Sequence, residues 1–289
     1  MNIHTERGIV FTMILDGKKI AEDIQKKMRK KVMELRSVPV LCIIQAGENR
    51  ASEKFVERKK KFGESIGVPV ELVNLPAEAR EEEILAAILF SASDERVGGI
   101  VVQLPLPLGY NTQKILNMIP IEKDVDALSD AAMEKFANGN LGVMPPVAGA
   151  IKKIFEYGKI SVRGKRAVVI GRGRLVGVPA EIFLRRSGAE VTVVDDTVSD
   201  IARETKRADI LISGAGSPHL VTLDKIKKGV VLIDAGTSQN DDGRLVGDAC
   251  PSCVSKCALF TPVPGGIGPI TVAMVFDNLL ALADSGAEK

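Results

Sequence analysis

The chain is predicted to be an α/β protein of two domains, and three observations carry that expectation. Short apolar runs alternate with segments of helical period along the whole chain. The 289 residues suffice for two domains of ordinary size. A break rich in proline and glycine, LGVMPPVAGA at 141–150, interrupts the helical pattern midway.

The elements follow in order. Ile20, Ile24, Met28 and Leu35 recur at near-helical spacing after Asp16, a residue type that caps helices. VPVLCIIQ (38–45) is too short for a helix and reads as a buried parallel strand. A helix at 51–66, a strand at 69–74, a helix at 80–92 and a strand at 98–104 come next. In the second half, KRAVVI (165–170) reads as a strand, followed by a glycine-rich turn and a helix reaching Ser187. Further strands are VTVV (191–194), ILIS (210–213) and VVLID (230–234), and a last helix starts near Pro269. The sequence therefore divides into 13–147, 148–268 and a closing helix at 269–289, with 1–12 as an N-terminal extension and Met13 as an alternative start.

Composition narrows the function classes. With 39 basic and 37 acidic residues the net charge is +2, which leaves no electrostatic footprint for nucleic acid or an anionic membrane. No apolar run is read as approaching the roughly 20 residues of a membrane span. The opening MNIHTERGIVFT lacks the pattern of a secretory signal, so a cytoplasmic protein with reduced cysteines is expected. Cys250, Cys253 and Cys257 form a C-x2-C-x3-C cluster in a loop, with Cys42 far off in a strand. A closed zinc site wants four ligands and no other His or Cys lies nearby, so no metal is expected there. A surface disulfide formed in air is the remaining chemistry. Only two histidines occur, His4 and His219, and no nucleophile elbow, P-loop or H-E-x-x-H helix is present.

Two regions do carry chemistry. After KRAVVI comes GRGRLVGVP, which sets Gly171, Gly173 and Gly177 between strand and helix. A pyrophosphate needs glycine there for the sharp turn, for close backbone approach and for tight helix packing, and the helix N-terminus adds free N–H groups. Asp195 and Asp196 close the next strand, where an acid holds the ribose of NAD, whereas Arg172 and Arg174 suit a 2′-phosphate. In the first half, Phe55 and Lys59 stand four apart on one helix face, although a lysine in such a run is commonly just solvated. Gln103 ends the strand of VGGIVVQLPLPLG (97–109), at the edge where open α/β sheets bind ligands. KDVDAL places Asp124 and Asp126 in a turn, a pattern equally suited to capping. TPVPGGIGPIT (261–271) reads as a rigid backbone wall for a flat ligand.

Together TPVPGGIGPITVAM, VGGIVVQLPLP, EKDVDAL, GRGRLVGVP and MILDGKKIAEDI resemble the bifunctional methylenetetrahydrofolate dehydrogenase/methenyltetrahydrofolate cyclohydrolase family over residues 13–284. The resemblance implies a folate-binding α/β domain and a Rossmann-type dinucleotide-binding domain with a cleft between them. It makes Lys59 the catalytic lysine, Gln103 its partner and Asp126 the acid that orients the pterin. Phe55, Pro264, Gly265 and Gly266 then contact folate, and Gly171, Arg172, Gly173, Arg174, Gly177, Asp195, Asp196 and Thr237 hold the dinucleotide. NADP is the implied cofactor, with NAD as an alternative, and a homodimer is implied. Several positions depart from the family pattern: Phe55 replaces a tyrosine, Gly173 a serine, Asp195-Asp196 a His-Ser, and Ala127 a glycine; Pro145-Pro146-Val147-Ala148 stands for a proline-cysteine-threonine-proline string. The cofactor-side changes bear on NADP preference more than on the chemistry.

The implied reaction takes hydride from the methylene carbon of methylenetetrahydrofolate, then hydrolyses the methenyl product, with Lys59 moving protons. Two alternatives stand beside it: another two-domain dehydrogenase acting on a small acid or sugar, and a non-catalytic folate- or nucleotide-binding relative.

Overall fold

The computed structural model describes residues 12–47, 50–195, 200–240 and 243–287, and for 50, 51 and 285–287 the backbone alone. His4, the expected extension apart from Thr12, and Asp196 lie outside the described residues. Two compact units form, Ala21–Pro146 with Val272–Lys289, here the first, and Met1–Ile20 with Val147–Thr271, here the second.

In chain order the elements are β1 (Met13–Ile14), α1 (Gly17–Glu34), β2 (Val40–Ala46), α2 (Arg50–Ile66), β3 (Val70–Leu75), α3 (Glu81–Ser93), β4 (Val97–Val102), α4 (Thr112–Leu116) and α5 (Asp130–Ala137). Then come α6 (Pro146–Gly158), β5 (Arg166–Ile170), α7 (Gly177–Arg186), β6 (Glu190–Val194), α8 (Ile201–Thr205), β7 (Ile210–Ser213) and β8 (Val230–Asp234). A small hairpin of β9 (Ser238–Gln239) and β10 (Leu245–Val246), β11 (Cys257–Phe260) and α9 (Ile267–Ala287) complete the chain. Asp16 accepts the backbone N–H groups of Lys18 and Lys19 at the start of α1, as its position before the periodic residues suggests. The break at 141–150 contains a helix start, because Pro146 occupies the first position of α6, where its missing N–H costs nothing.

The first unit is built on a parallel sheet of order β3-β2-β4. Every residue of the central strand β2 is buried, which is why it is apolar without alternation. Its odd side chains, Leu41 and Ile43, pack with Val56, Phe276 and Leu279; its even ones, Val40, Cys42 and Ile44, pack with Ile84, Ile88 and Leu116. The Phe62 and Phe276 rings meet at 5.0 Å. Contrary to the sequence expectation, α9 contains an 18-residue stretch, Ile267–Asp284, long and apolar enough to cross a membrane. Its apolar side chains are instead core: Val272, Val275, Phe276, Leu279 and Leu280 belong to the first unit's packed cluster.

The second unit carries a six-stranded sheet of order β1-β11-β8-β7-β5-β6, whose recorded pairings are all parallel. Residues 13–20, assigned from sequence to the first domain, group with this unit because β1 pairs with β11 and the Leu15 N–H donates to the Phe260 carbonyl at 2.9 Å. The cysteine cluster is part of its core rather than a loop: Cys253 lies in a 3-10 turn and Cys257 on β11, both buried. All four cysteines carry free thiols, and burial pushes Cys253 up to about 11 and Cys257 to about 12.

Candidate active site

In the first unit, α2 turns Ser52, Val56, Lys59, Gly63 and Ile66 inward, at the alternating spacing of four and three that keeps one helix face buried. Gly63 lets this face come close, since a β-carbon there would lie 2.6 Å from Val70 Cγ2. Lys59 is thereby drawn in until it is only 8% exposed. Its Nζ donates to Gln103 Oε1 at 2.9 Å. Gln103 follows directly on β4, equally buried, and its Nε2 donates to the Leu104 carbonyl at 2.9 Å, which fixes which end of the amide faces the lysine.

Asp126 completes the set. Its neighbour Asp124 is structural: its carboxylate accepts Leu128 N–H at 3.3 Å and Ser129 N–H at 2.9 Å, and Ser129 in turn caps α5. Ala127, where the family has glycine, takes a left-handed φ of 52°. This turn leaves Asp126 half-buried and within electrostatic reach of Lys59. Burial raises the Asp126 carboxyl to about 6, against the pull of the Lys59 charge. Burial likewise lowers Lys59 below the ordinary lysine value, opposed by Asp126. An acid raised beside an amine lowered is the arrangement that lets groups exchange protons near neutrality. Phe55, one turn before Lys59, is half-buried, with the Arg58 guanidinium 5.4 Å from its ring centre.

In the second unit, the backbone of the turn after β5 requires two of its three glycines. Gly171 has φ 95°, and a β-carbon on Gly177 would sit 2.1 Å from the Gly171 carbonyl oxygen. Gly173 is different, since a β-carbon there meets nothing within 4 Å. No side chain caps the N-terminus of α7. There the Val178 N–H donates to the Gly173 carbonyl at 3.2 Å and Pro179 has no N–H to offer, so of the first three residues Gly177 is the one whose donor the turn does not take up. Arg172 Nε donates to Asp195 Oδ2 at 2.7 Å, with the arginine side chain 60% and the aspartate 20% exposed. Arg174 is half-buried, and Thr237 is exposed in the segment after β8.

The segment carrying Pro264, Gly265 and Gly266 has backbone requirements of its own, independent of any ligand. Gly266 cannot take a side chain because a β-carbon would lie 2.6 Å from the Pro262 carbonyl oxygen. Gly265 has φ 105° but open space around it. Its carbonyl accepts Gly17 N–H at 2.9 Å, and a β-carbon on Gly17 would fall 1.7 Å from the Gly266 oxygen. The motif is compact because two stretches of backbone touch.

Sequence reasoning passed over Asn278, Gly17 and the buried acids Asp234 and Asp248. For Asp234 a signal existed, an acid ending the apolar run VVLID at a strand's carboxyl end.

The tetrahydrofolate dehydrogenase/cyclohydrolase catalytic-domain family matches residues 15–126, and the NAD(P)-binding domain of the same family matches 145–286. The chain is 40% identical over 271 residues to the bifunctional protein FolD of Staphylococcus aureus (strain Newman), covering 92% of this chain and 95% of that one. Among solved structures, the bifunctional FolD of Campylobacter jejuni is 33% identical with a TM-score of 0.91, covering 96% of this chain and 100% of that one. The Trypanosoma brucei methylenetetrahydrofolate dehydrogenase-cyclohydrolase, solved with NADP and an inhibitor, is 33% identical with a TM-score of 0.92, covering 96% and 99%. With relatives this similar along nearly its whole length, and with both domain families matched in order, the chain belongs to the bifunctional tetrahydrofolate dehydrogenase/cyclohydrolase family.

Proposed function

We propose that the chain oxidises methylenetetrahydrofolate with NADP, accepting NAD as well, and hydrolyses the methenyl product at a centre made of Lys59, Gln103 and Asp126. The carrying observation is a buried lysine held by one hydrogen bond to Gln103 and lowered by burial. A structural lysine would be exposed or ion-paired; this one is kept as a proton carrier.

In hydrolysis, water adds to the cationic methenyl carbon while neutral Lys59 takes one of its protons. The lysine ammonium then returns a proton to the folate nitrogen whose bond to that carbon breaks. The formyl group stays on the other nitrogen, and one proton is released overall. Gln103 holds Nζ in line, and the Asp126 carboxyl, raised by burial to about 6, orients the polar edge of the pterin. Phe55 offers a ring face but no hydrogen bond.

The residues of the second unit fit a dinucleotide: Gly171 and Gly177 leave backbone where a side chain would block, and no side chain caps the N-terminus of α7. When bound, the dinucleotide supplies the acceptor for the hydride of the methylene carbon. Arg172 offsets the Asp195 charge and keeps its own guanidinium largely exposed, which favours NADP while leaving NAD usable. Thr237, Arg174 and Asp196 are assigned to the same ligand, and Pro264, Gly265 and Gly266 to folate, on the family resemblance. A homodimer in the cytoplasm belongs to this reading on the same support; sedimentation at micromolar concentration checks the dimer.

Lys59→Met tests the centre. The expected result is loss of methenyl hydrolysis by on the order of 100-fold or more with folate and NADP affinity kept within a few fold. Equal losses of hydrolysis and folate affinity would refute the role of Lys59.

A further inference from the structure

In the second unit the chain leaves β5 for β6 on one side and then crosses to β7 on the other. The carboxyl ends of β5 and β7 therefore form the switch point at which open α/β sheets take ligands. Two segments rim it, 171–177 after β5 and 213–217 after β7. They fit against each other without slack: a β-carbon on Gly171 would come 2.8 Å from the Gly214 oxygen, and one on Gly214 would come 2.4 Å from Val176 Cγ1.

What holds the second rim is a carboxylate far along the chain. Asp248 is fully buried. Its Oδ2 accepts the Ser213 hydroxyl at 2.7 Å and the Ala215 N–H at 2.8 Å, and its Oδ1 accepts the Ser217 N–H at 2.9 Å. Residues 215–217 are exposed, so an interior charge is tethering surface backbone. Asp248 is itself held, since its N–H donates to Asp234 Oδ1 at 3.1 Å. Asp234 also accepts Gly236 N–H at 2.9 Å and Ala249 N–H at 2.8 Å, and its own N–H donates to Thr261 Oγ1 at 2.7 Å. Gly236 and Gly247 make room for the acids; a β-carbon would lie 2.3 Å from Asp248 and 2.0 Å from Asp234 respectively. Two buried carboxylates are a poor way to stabilise a fold, but a good way to fix backbone that must stay in one place.

We infer that Asp248 is a positioning residue for the dinucleotide, fixing 213–217 as the wall of the switch-point crevice that faces the Gly171 turn. The inference rests on the reading of 171–177 as the dinucleotide turn. Without the carboxylate, the two surface N–H groups lose their anchor and the wall loosens, while nothing in the Lys59 centre changes.

The test measures the dissociation constant of NADPH by its fluorescence, and cofactor-free methenyl hydrolysis, in the full chain. Asp248→Asn is expected to weaken NADPH about tenfold, the worth of one charged hydrogen bond, with hydrolysis within twofold of the parent. Ser213→Ala, which keeps both backbone donors, should weaken it about threefold. Unchanged NADPH affinity in a folded Asp248→Asn protein, or parallel loss of affinity and hydrolysis, overturns the inference. Should Asp248→Asn fail to fold by circular dichroism, unchanged affinity in Ser213→Ala overturns it. Gly173→Glu separates the underlying reading: its side chain has open space, so the turn can keep its shape while a bound phosphate would meet the new charge. If Gly173→Glu leaves NADPH binding intact, the assignment of the turn itself is wrong; if it weakens binding and Asp248→Asn does not, only the role of Asp248 falls.

Discussion

The amide of Asn278, on the last helix, donates to the Val125 carbonyl at 2.8 Å, one residue before Asp126. The same nitrogen donates to the Met144 carbonyl at 2.7 Å, and the residue is only 3% exposed. One buried amide thus ties α9 to the turn that presents Asp126. Asn278→Ala is expected to destabilise the protein by about 1–3 kcal/mol, because it leaves the buried Val125 carbonyl and the part-buried Met144 carbonyl without their donor. Hydrolytic turnover should fall with it, as the turn before Asp126 relaxes. Urea unfolding that matches the parent would show that the two bonds contribute nothing.

The pH dependence of the centre follows from Asp126 and Lys59. The Asp126 carboxyl sits near 6 rather than 3.8. A raised carboxyl contributes stability that is fully present below about 3.8 and lost as pH rises through about 6. Asp234, also near 6, acts in the same window. Urea unfolding of Asp126→Asn should therefore lose less stability between pH 4 and 7 than the parent does, with the Asp234 share remaining. Hydrolysis should show a limb near pH 6 that this variant lacks. Lys59, displaced downward by burial, places its own limb below the ordinary lysine value. A limb near 6 that persists in Asp126→Asn would assign it to another group.

Gly17 and Gly266 provide a test that needs no ligand. A β-carbon on Gly17 would overlap the Gly266 oxygen at 1.7 Å, and one on Gly266 would press on Pro262 at 2.6 Å. Gly266→Ala should cost about 1–3 kcal/mol, in the range of overpacking, and Gly17→Ala more. Thermal unfolding of the ligand-free protein is the measurement. Wild-type melting with impaired folate kinetics would return the motif to a ligand wall.

Cofactor choice turns on the 2.7 Å pair of Arg172 and Asp195. Asp195→Ser should raise the NADP-over-NAD ratio of kcat/KM on the order of tenfold, by removing a carboxylate near the 2′-phosphate and releasing the guanidinium. Arg172→Ala should lower that ratio by a similar factor, since it removes a guanidinium that suits the 2′-phosphate. If neither variant moves the ratio, the pair does not face the ribose.

Much of this protein was legible from the chain alone, and the reason is physical. Burial on one face imposes a period, so β2, α2, β3, α3, β4, β5, β6, β7 and β8 announce themselves within a few residues, whereas the shorter α5, α8 and β11 do not. The glycine turn after β5 is equally local, because its conformation is a property of the residues that form it. Lys59, Gln103 and Asp126 could be singled out by residue type, strand end and family resemblance. Their meeting could not be seen in any window, since the lysine and the glutamine are separated by 44 positions. The tertiary structure alone decided that the two-residue β1 joins β11, that Asn278 anchors the Asp126 turn and that Asp248 anchors 213–217. It also showed that Gly266 is required by its own backbone. Each of these depends on which distant donor or acceptor fills a particular buried position, and a hydrogen-bond partner chosen across the fold leaves no period in the sequence.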